Sequence, residues 1–206
     1  MNAFKRIIPL FSYLFHPLFI PVLGTLYFFL LSEPYKSYTS FQVCLVLFQV
    51  SIITVCIPIA FFYLLRSLGK IDTIMVSELT QRKLPLLMQI ILLSVLIQKG
   101  TSQDRIPELY FYFLGGIISA FLALLFLFLK IKASLHLLGM GSLLFFVIGL
   151  SIHNQINALN SIAAITCITG LVATSRLEMK AHNNKELTIG LLIGFLPQLL
   201  LWRLWL

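Results

Sequence analysis

The stretch PELYFYFLGGIISAFLALLFLFL, residues 107–129, decides the fold. Of its 23 residues only Glu108 is charged, and Lys130 and Lys132 follow directly. An α-helix needs about 20 consecutive apolar residues to cross a hydrocarbon core of roughly 30 Å. A spanning β-strand would instead show about ten residues of in–out alternation. Here the apolar positions are continuous, so the segment reads as a membrane helix. Pro107 suits its first turn, where the missing backbone N–H costs nothing and φ is already helical.

The rest of the chain repeats the pattern. Of 206 residues, 59% are hydrophobic and 11% charged, with a mean hydropathy of +0.98. A soluble domain carries roughly 45–50% apolar and about 25% charged residues, so neither a soluble domain nor a disordered chain fits. Apolar runs cover Ile8–Leu31, Phe41–Leu65, Leu84–Gln98, Pro107–Leu129, Ala133–Ile152, Ala158–Thr174 and Leu187–Leu206. The expected fold is an all-α, polytopic transmembrane bundle of six or seven spans, forming a single domain over 1–206. Residues 1–40 are a kinked N-terminal region, because Pro9, Pro17 and Pro21 interrupt the first run. Pro58 predicts a second kink, and the short run Leu84–Gln98 calls for extra length from the amphipathic segment before it. Gly115-Gly116 and Gly139-x-Gly141 mark sites of close helix approach. Trp202 and Trp205 are expected at the membrane boundary, and Cys44, Cys56 and Cys167 as buried small apolar side chains.

The net charge is +8. Basic loops that set topology and touch anionic lipid explain it better than nucleic-acid binding, so membrane lipids are the expected partners. With seven crossings, the loops around Arg66–Lys83, Lys132–His136 and Ser175–Glu186 lie on one side. That side carries Lys5, Arg6, Arg66, Lys70, Arg82, Lys83, Lys130, Lys132, Arg176, Lys180 and Lys185, which is eleven of the fifteen basic residues. The positive-inside rule then places it in the cytoplasm. Without Arg82, Lys83, Lys132 and Arg176, which are candidate anion ligands, the balance is still seven against four.

The same three loops hold the reactive side chains. Phosphoryl transfer needs fixed positive charge around the phosphoryl oxygens, an in-line nucleophile and a proton donor for the leaving oxygen. A neutral imidazole serves as nucleophile when a carboxylate holds its other ring nitrogen. His182 and Glu186 are four residues apart, on one helix face and within reach. Arg176 offers a planar fork for phosphate. Ser134 and His136 supply a hydrogen bond and a general acid. Plainer readings stand beside these. His182 is then an interfacial histidine at a helix start, and His136 is polar glue between helices. Glu78 and Arg82 form a surface ion pair, His16 before Pro17 caps a span, and His153 on the opposite side faces solvent.

The stretch Ser175-Arg176-x5-His182-x3-Glu186 resembles the third motif of the type 2 phosphatidic acid phosphatase superfamily, Ser-Arg-x5-His-x3-Asp, with Glu186 at the Asp position. Ser134-x-His136 resembles the second motif, Pro-Ser-Gly-His, with Ala133 and Leu135 replacing Pro and Gly. The first motif, Lys-x6-Arg-Pro, keeps only Pro85, with Leu84 at the arginine and Ser77 at the lysine. The resemblance implies a phosphatase-like core over 66–206 and a lipid phosphate substrate. It makes His182 the nucleophile that forms a phosphohistidine, Glu186 its orienting partner and His136 the acid for the leaving alcohol. Arg176, Ser134, Ser175, Arg82, Lys83 and Lys132 would hold the phosphate, with no metal and no cofactor. It places the chain in the bacterial inner membrane. Two other readings stay open: a catalytically degenerate lipid-phosphate-binding protein, supported by the broken first motif, and a transporter or channel, which the scarcity of charge within the spans disfavours.

Overall fold

The computed structural model describes residues 3–32, 38–71, 79–101 and 103–206. They form α1 (Ala3–Leu14), α2 (Ile20–Leu31), α3 (Ser40–Ser51), α4 (Ile57–Ser67), α5 (Lys83–Lys99), α6 (Pro107–Phe128), α7 (Leu135–His153), α8 (Leu159–Glu178) and α9 (Asn184–Trp205), with no strand among the described residues. Helices α3 and α4 are one continuous rod, Ser40–Ser67. Among the described residues, four helices are long and apolar enough to cross a membrane: Ser40–Ser67, Pro107–Phe128, Leu135–His153 and Asn184–Trp205. The chain therefore has the build of an integral-membrane helical bundle. Its outer surface agrees, because Phe41 is 71% and Phe48 63% exposed on the Ser40–Ser67 rod, an arrangement stable in lipid and costly in water. Two helices are shorter: α2 has 12 residues, about 18 Å, and α5 has 17, about 25 Å at 1.5 Å per residue.

Pro17, Pro21 and Pro58 shape the chain as their chemistry dictates, whereas Pro9, expected to interrupt the first run, lies inside α1, and Pro197 lies inside α9. The first apolar run breaks between Leu14 and Ile20, at His16-Pro17, and Pro21 sits in the first turn of α2. At Pro58 the chain widens into a π-helical turn, Ile52–Cys56, whose Ile57 N–H reaches back to the Ile52 carbonyl. One extra residue per turn carries the helix past the missing proline donor. A single 3-10 turn, Thr80–Arg82, leads into α5. The remainder of the expected extension, with Ser77 and Glu78, lies outside the described residues.

Helix α7 is central, packed against α2, α6, α8 and α9, while α1 lies along α8. The α7–α9 contact is backbone against backbone. A Cβ on Gly190 would strike the Ser134 main chain, and one on Gly194 would strike that of Leu138. Gly141 approaches the Leu191 carbonyl in the same interface, and Gly115 makes room for buried Gln198. The glycines on α9 are the pair the sequence reading passed over. One expectation is corrected. Cys44, Cys56 and Cys167 are exposed, on outward helix faces, because a bundle in lipid has no need to hide small apolar groups. Trp205, the last residue of α9, packs against Phe146 and against His153, the last residue of α7, and Gly149 leaves a hollow beneath both tryptophans.

Candidate functional site

Three turns deliver the reactive residues to one end of the bundle. Helix α6 stops when Lys130 turns left-handed at φ 59°, with Ile131 N–H closing on the Phe126 carbonyl. Helix α8 stops the same way at Lys180, φ 51°, with Ala181 N–H closing on the Arg176 carbonyl. This left-handed closure is common at helix ends and is usually made by glycine. It swings His182 back over the last turn of α8, where Arg176 sits. A non-glycine pays for the left-handed geometry, so Lys180→Gly is expected to stabilise the fold by roughly 0.5–1 kcal/mol. The readout is a higher thermal midpoint in detergent, and a lower one would contradict this account of the turn.

Helix α9 then begins with a cap. Asn183 Oδ1 accepts the Glu186 backbone N–H at 3.0 Å, and its amide donates to Glu186 Oε1 at 3.2 Å. The other carboxylate oxygen, Oε2, takes His182 Nδ1–H at 2.7 Å. Glu186 is thus clamped from two sides, and His182 is left with its Nε2 lone pair free. Asn183 was missed from the sequence, although Asn followed three residues later by Glu is a capping signature. The Glu186 carbonyl accepts Ser134 N–H at 3.0 Å, which ties the start of α9 to the start of α7.

These turns enclose a cavity of about 140 Å³. His16, Arg82, His136, Arg176 and His182 line it, with Gln89, Ser142 and apolar side chains such as Leu86, Leu93, Phe113 and Ala120. No carboxylate lines it among the described residues. Arg82 is buried, with Nη1 donating to the Ala133 carbonyl at 2.9 Å. Arg176 is 3% exposed. Among the described residues its Nε has no hydrogen-bond partner, and its Nη1 meets only the Met179 sulfur at 3.8 Å. Among the described residues no carboxylate pairs with it. A buried, uncompensated guanidinium costs several kcal/mol, and an anion in the cavity would repay that cost.

The remaining candidates divide by position. Lys132 Nζ donates to the Ala181 carbonyl at 2.9 Å. It lines a second, open cleft with Lys180, Asn183 and Glu186, and His182 borders both spaces. Ser134 and Ser175 lie behind the wall. The Ser134 hydroxyl is buried without a partner, and the Ser175 hydroxyl shares a 2.6 Å hydrogen bond with Ser12. Lys83 is exposed, its ammonium 5.1 Å from the centre of the Phe128 ring, so it stands outside the cavity. His136 gives its Nε2–H to the Ser12 carbonyl at 3.0 Å. His153 lies at the opposite end, 3.6 Å from Glu108.

His16 is the residue the sequence reading placed elsewhere. Its Nδ1 does accept the Leu18 amide at 3.4 Å, closing the turn before α2, but the ring also packs edge-on to His136, centroids 5.2 Å apart, inside the cavity. Only its distance from the motifs along the chain concealed it.

Burial keeps two of these rings neutral. Desolvation is the larger cause for His16, which is pushed down to about 4 with the Arg176 charge adding to it. His182 also falls to about 4, first through desolvation and then through Arg82, Arg176 and Lys132, against the opposing bond to Glu186. The unperturbed value is about 6.5. Both folded values are depressed, so their contribution to stability is complete above pH 6.5 and is lost as pH falls through about 4. Histidine-labelled NMR spectra should therefore show at least the His16 and His182 rings staying neutral at pH 5. Titration of every histidine near 6.5 would contradict the burial described. Comparison with known proteins finds no matching family model, no matching curated protein and no matching solved structure.

Proposed function

We propose that the chain is a divergent membrane lipid phosphatase of the type 2 phosphatidic acid phosphatase kind, cleaving a lipid phosphate or diphosphate monoester through a phosphohistidine. The observation that carries this reading is Arg176, buried with no carboxylate partner among the described residues in a cavity that also holds His182 and Arg82. Two arginines suit the phosphoryl oxygens, and the apolar part of the cavity suits the first carbons of a lipid tail entering between helices. His182 Nε2, with the ring oriented by Glu186, attacks phosphorus as the P–O bond to the leaving group breaks; water from the open cleft gives the leaving oxygen its proton, and a second water then hydrolyses the phosphohistidine to free phosphate and neutral His182. Lys132 and the open cleft beside His182 suit phosphate release. Arg82 supports the reading where the first motif is broken, because it brings a guanidinium to the cavity from two residues before Leu84. We further propose that α2, α5 and α8 complete seven crossings in a bacterial inner membrane, with the cavity at the cytoplasmic end.

The test uses purified protein in mixed micelles with radiolabelled phosphatidic acid or a prenyl diphosphate. Released phosphate and an acid-labile, alkali-stable phosphoprotein are expected. Saturable phosphate binding without turnover would replace the enzyme with a binding protein. Absence of both would remove the site.

A further inference from the structure

The catalytic reading leaves one imidazole in the cavity without a task. His16 comes from the turn between α1 and α2, more than a hundred residues from any residue of the second or third motif. Its tautomer is set by the backbone. Nδ1 accepts the Leu18 amide, so in the neutral ring the proton is on Nε2, which makes no hydrogen bond among the described residues. His136 presents the opposite case, because its Nε2–H is committed to the Ser12 carbonyl. A carbonyl only accepts, so Nδ1 of a neutral His136 carries a lone pair and has nothing to donate. Of these two rings, only His16 has an uncommitted N–H to give to an anion.

We propose that His16 is a phosphate-binding residue, its Nε2–H donating to a phosphoryl oxygen held by Arg176 and Arg82. This rests on the lipid-phosphate reading of the cavity and adds a ligand which that reading does not contain. The ring acts as a neutral donor and neither gains nor loses a proton, a role open to imidazole when its surroundings keep it uncharged. Packing fixes its aim: Pro17 follows it, the Leu18 amide holds Nδ1, and His136 backs the ring at 85°. The break in the first apolar run thus places a donor as well as a kink.

The experiment measures inorganic phosphate binding by calorimetry on the full chain in detergent, and KM for phosphatidic acid in mixed micelles. His16→Phe keeps an aromatic ring against His136 but removes the N–H. A hydrogen bond to a charged group contributes enough that His16→Phe and His16→Ala should each weaken phosphate binding about 10- to 100-fold. KM should rise by a similar factor, kcat should change less than about 3-fold, and His16→Gln should recover part of the loss. Wild-type phosphate affinity in both His16→Phe and His16→Ala overturns the proposal, even if one of them is less stable. So does a KM change for the lipid without a change in phosphate affinity, which would point to the tail. If the wild type binds no phosphate, this proposal and the lipid-phosphate reading fall together. If phosphate binding responds to His16 but turnover survives His182→Ala, only the phosphohistidine mechanism is lost.

Discussion

His182→Ala is expected to reduce phosphate release from a lipid phosphate by more than about 1,000-fold, in line with removal of a covalent nucleophile from a catalytic unit. The expectation follows from three features of the ring. Its Nδ1–H is spent on Glu186 at 2.7 Å, its Nε2 lone pair is free, and burial keeps it neutral down to about pH 4. The fold should survive, because Asn183 still caps α9 and still holds the Glu186 carboxylate. Phosphate release and the yield of trapped phosphoprotein should vanish together, while elution in detergent stays unchanged. Turnover at the wild-type rate in this variant would eliminate His182 as nucleophile. Glu186→Gln should be milder, since the amide still receives a hydrogen bond from Nδ1 but no longer stabilises positive charge on the ring.

Gly194→Leu should do comparable damage from a position that touches no substrate. Its Cβ would enter the Leu138 main chain, which cannot move aside as a flexible side chain can. Overpacking a tight interface costs about 1–3 kcal/mol and sometimes more, and here it must also part α9 from α7. The first turn of α9 carries Glu186 and follows the turn that bears His182, and α7 carries His136. Both the thermal midpoint and phosphate release should fall. The control is Gly170→Leu on α8, where a Cβ meets nothing within 4 Å; that variant should behave as wild type. Equal behaviour of the two variants would refute the backbone contact described for α7 and α9.

The residues show why some of this was legible beforehand. The membrane bundle was readable because span length and apolarity are properties of contiguous sequence, as in residues 107–129. His182 with Glu186 was readable because the helical repeat fixes which residues face each other four apart. A count of seven crossings predicted a shared end for the three loops; Arg82, His136 and His182 do line one cavity, while four helices among the described residues are long and apolar enough to cross a membrane. Three features escaped. His16 lies far from the motif residues and meets His136 only after α1 and α2 fold back on the bundle. Ser12 binds His136 through its carbonyl, which every residue possesses. Lys83 looked like a ligand by adjacency to Arg82, yet one residue of helical rotation, about 100°, takes it to Phe128 on the outside.

Taken alone, the order of residues determined that this chain is a helical bundle built for lipid and that one imidazole has a carboxylate one turn away. Those properties are local, set by bond geometry and by transfer of side chains between water and hydrocarbon. Tertiary structure alone decided which of the cations is left uncompensated in a cavity, which imidazole keeps a free N–H, and that His16 joins them. Such outcomes depend on how closely α7 and α9 approach through Gly190 and Gly194, and on what their packing leaves unfilled. No single segment of the chain encodes that distance.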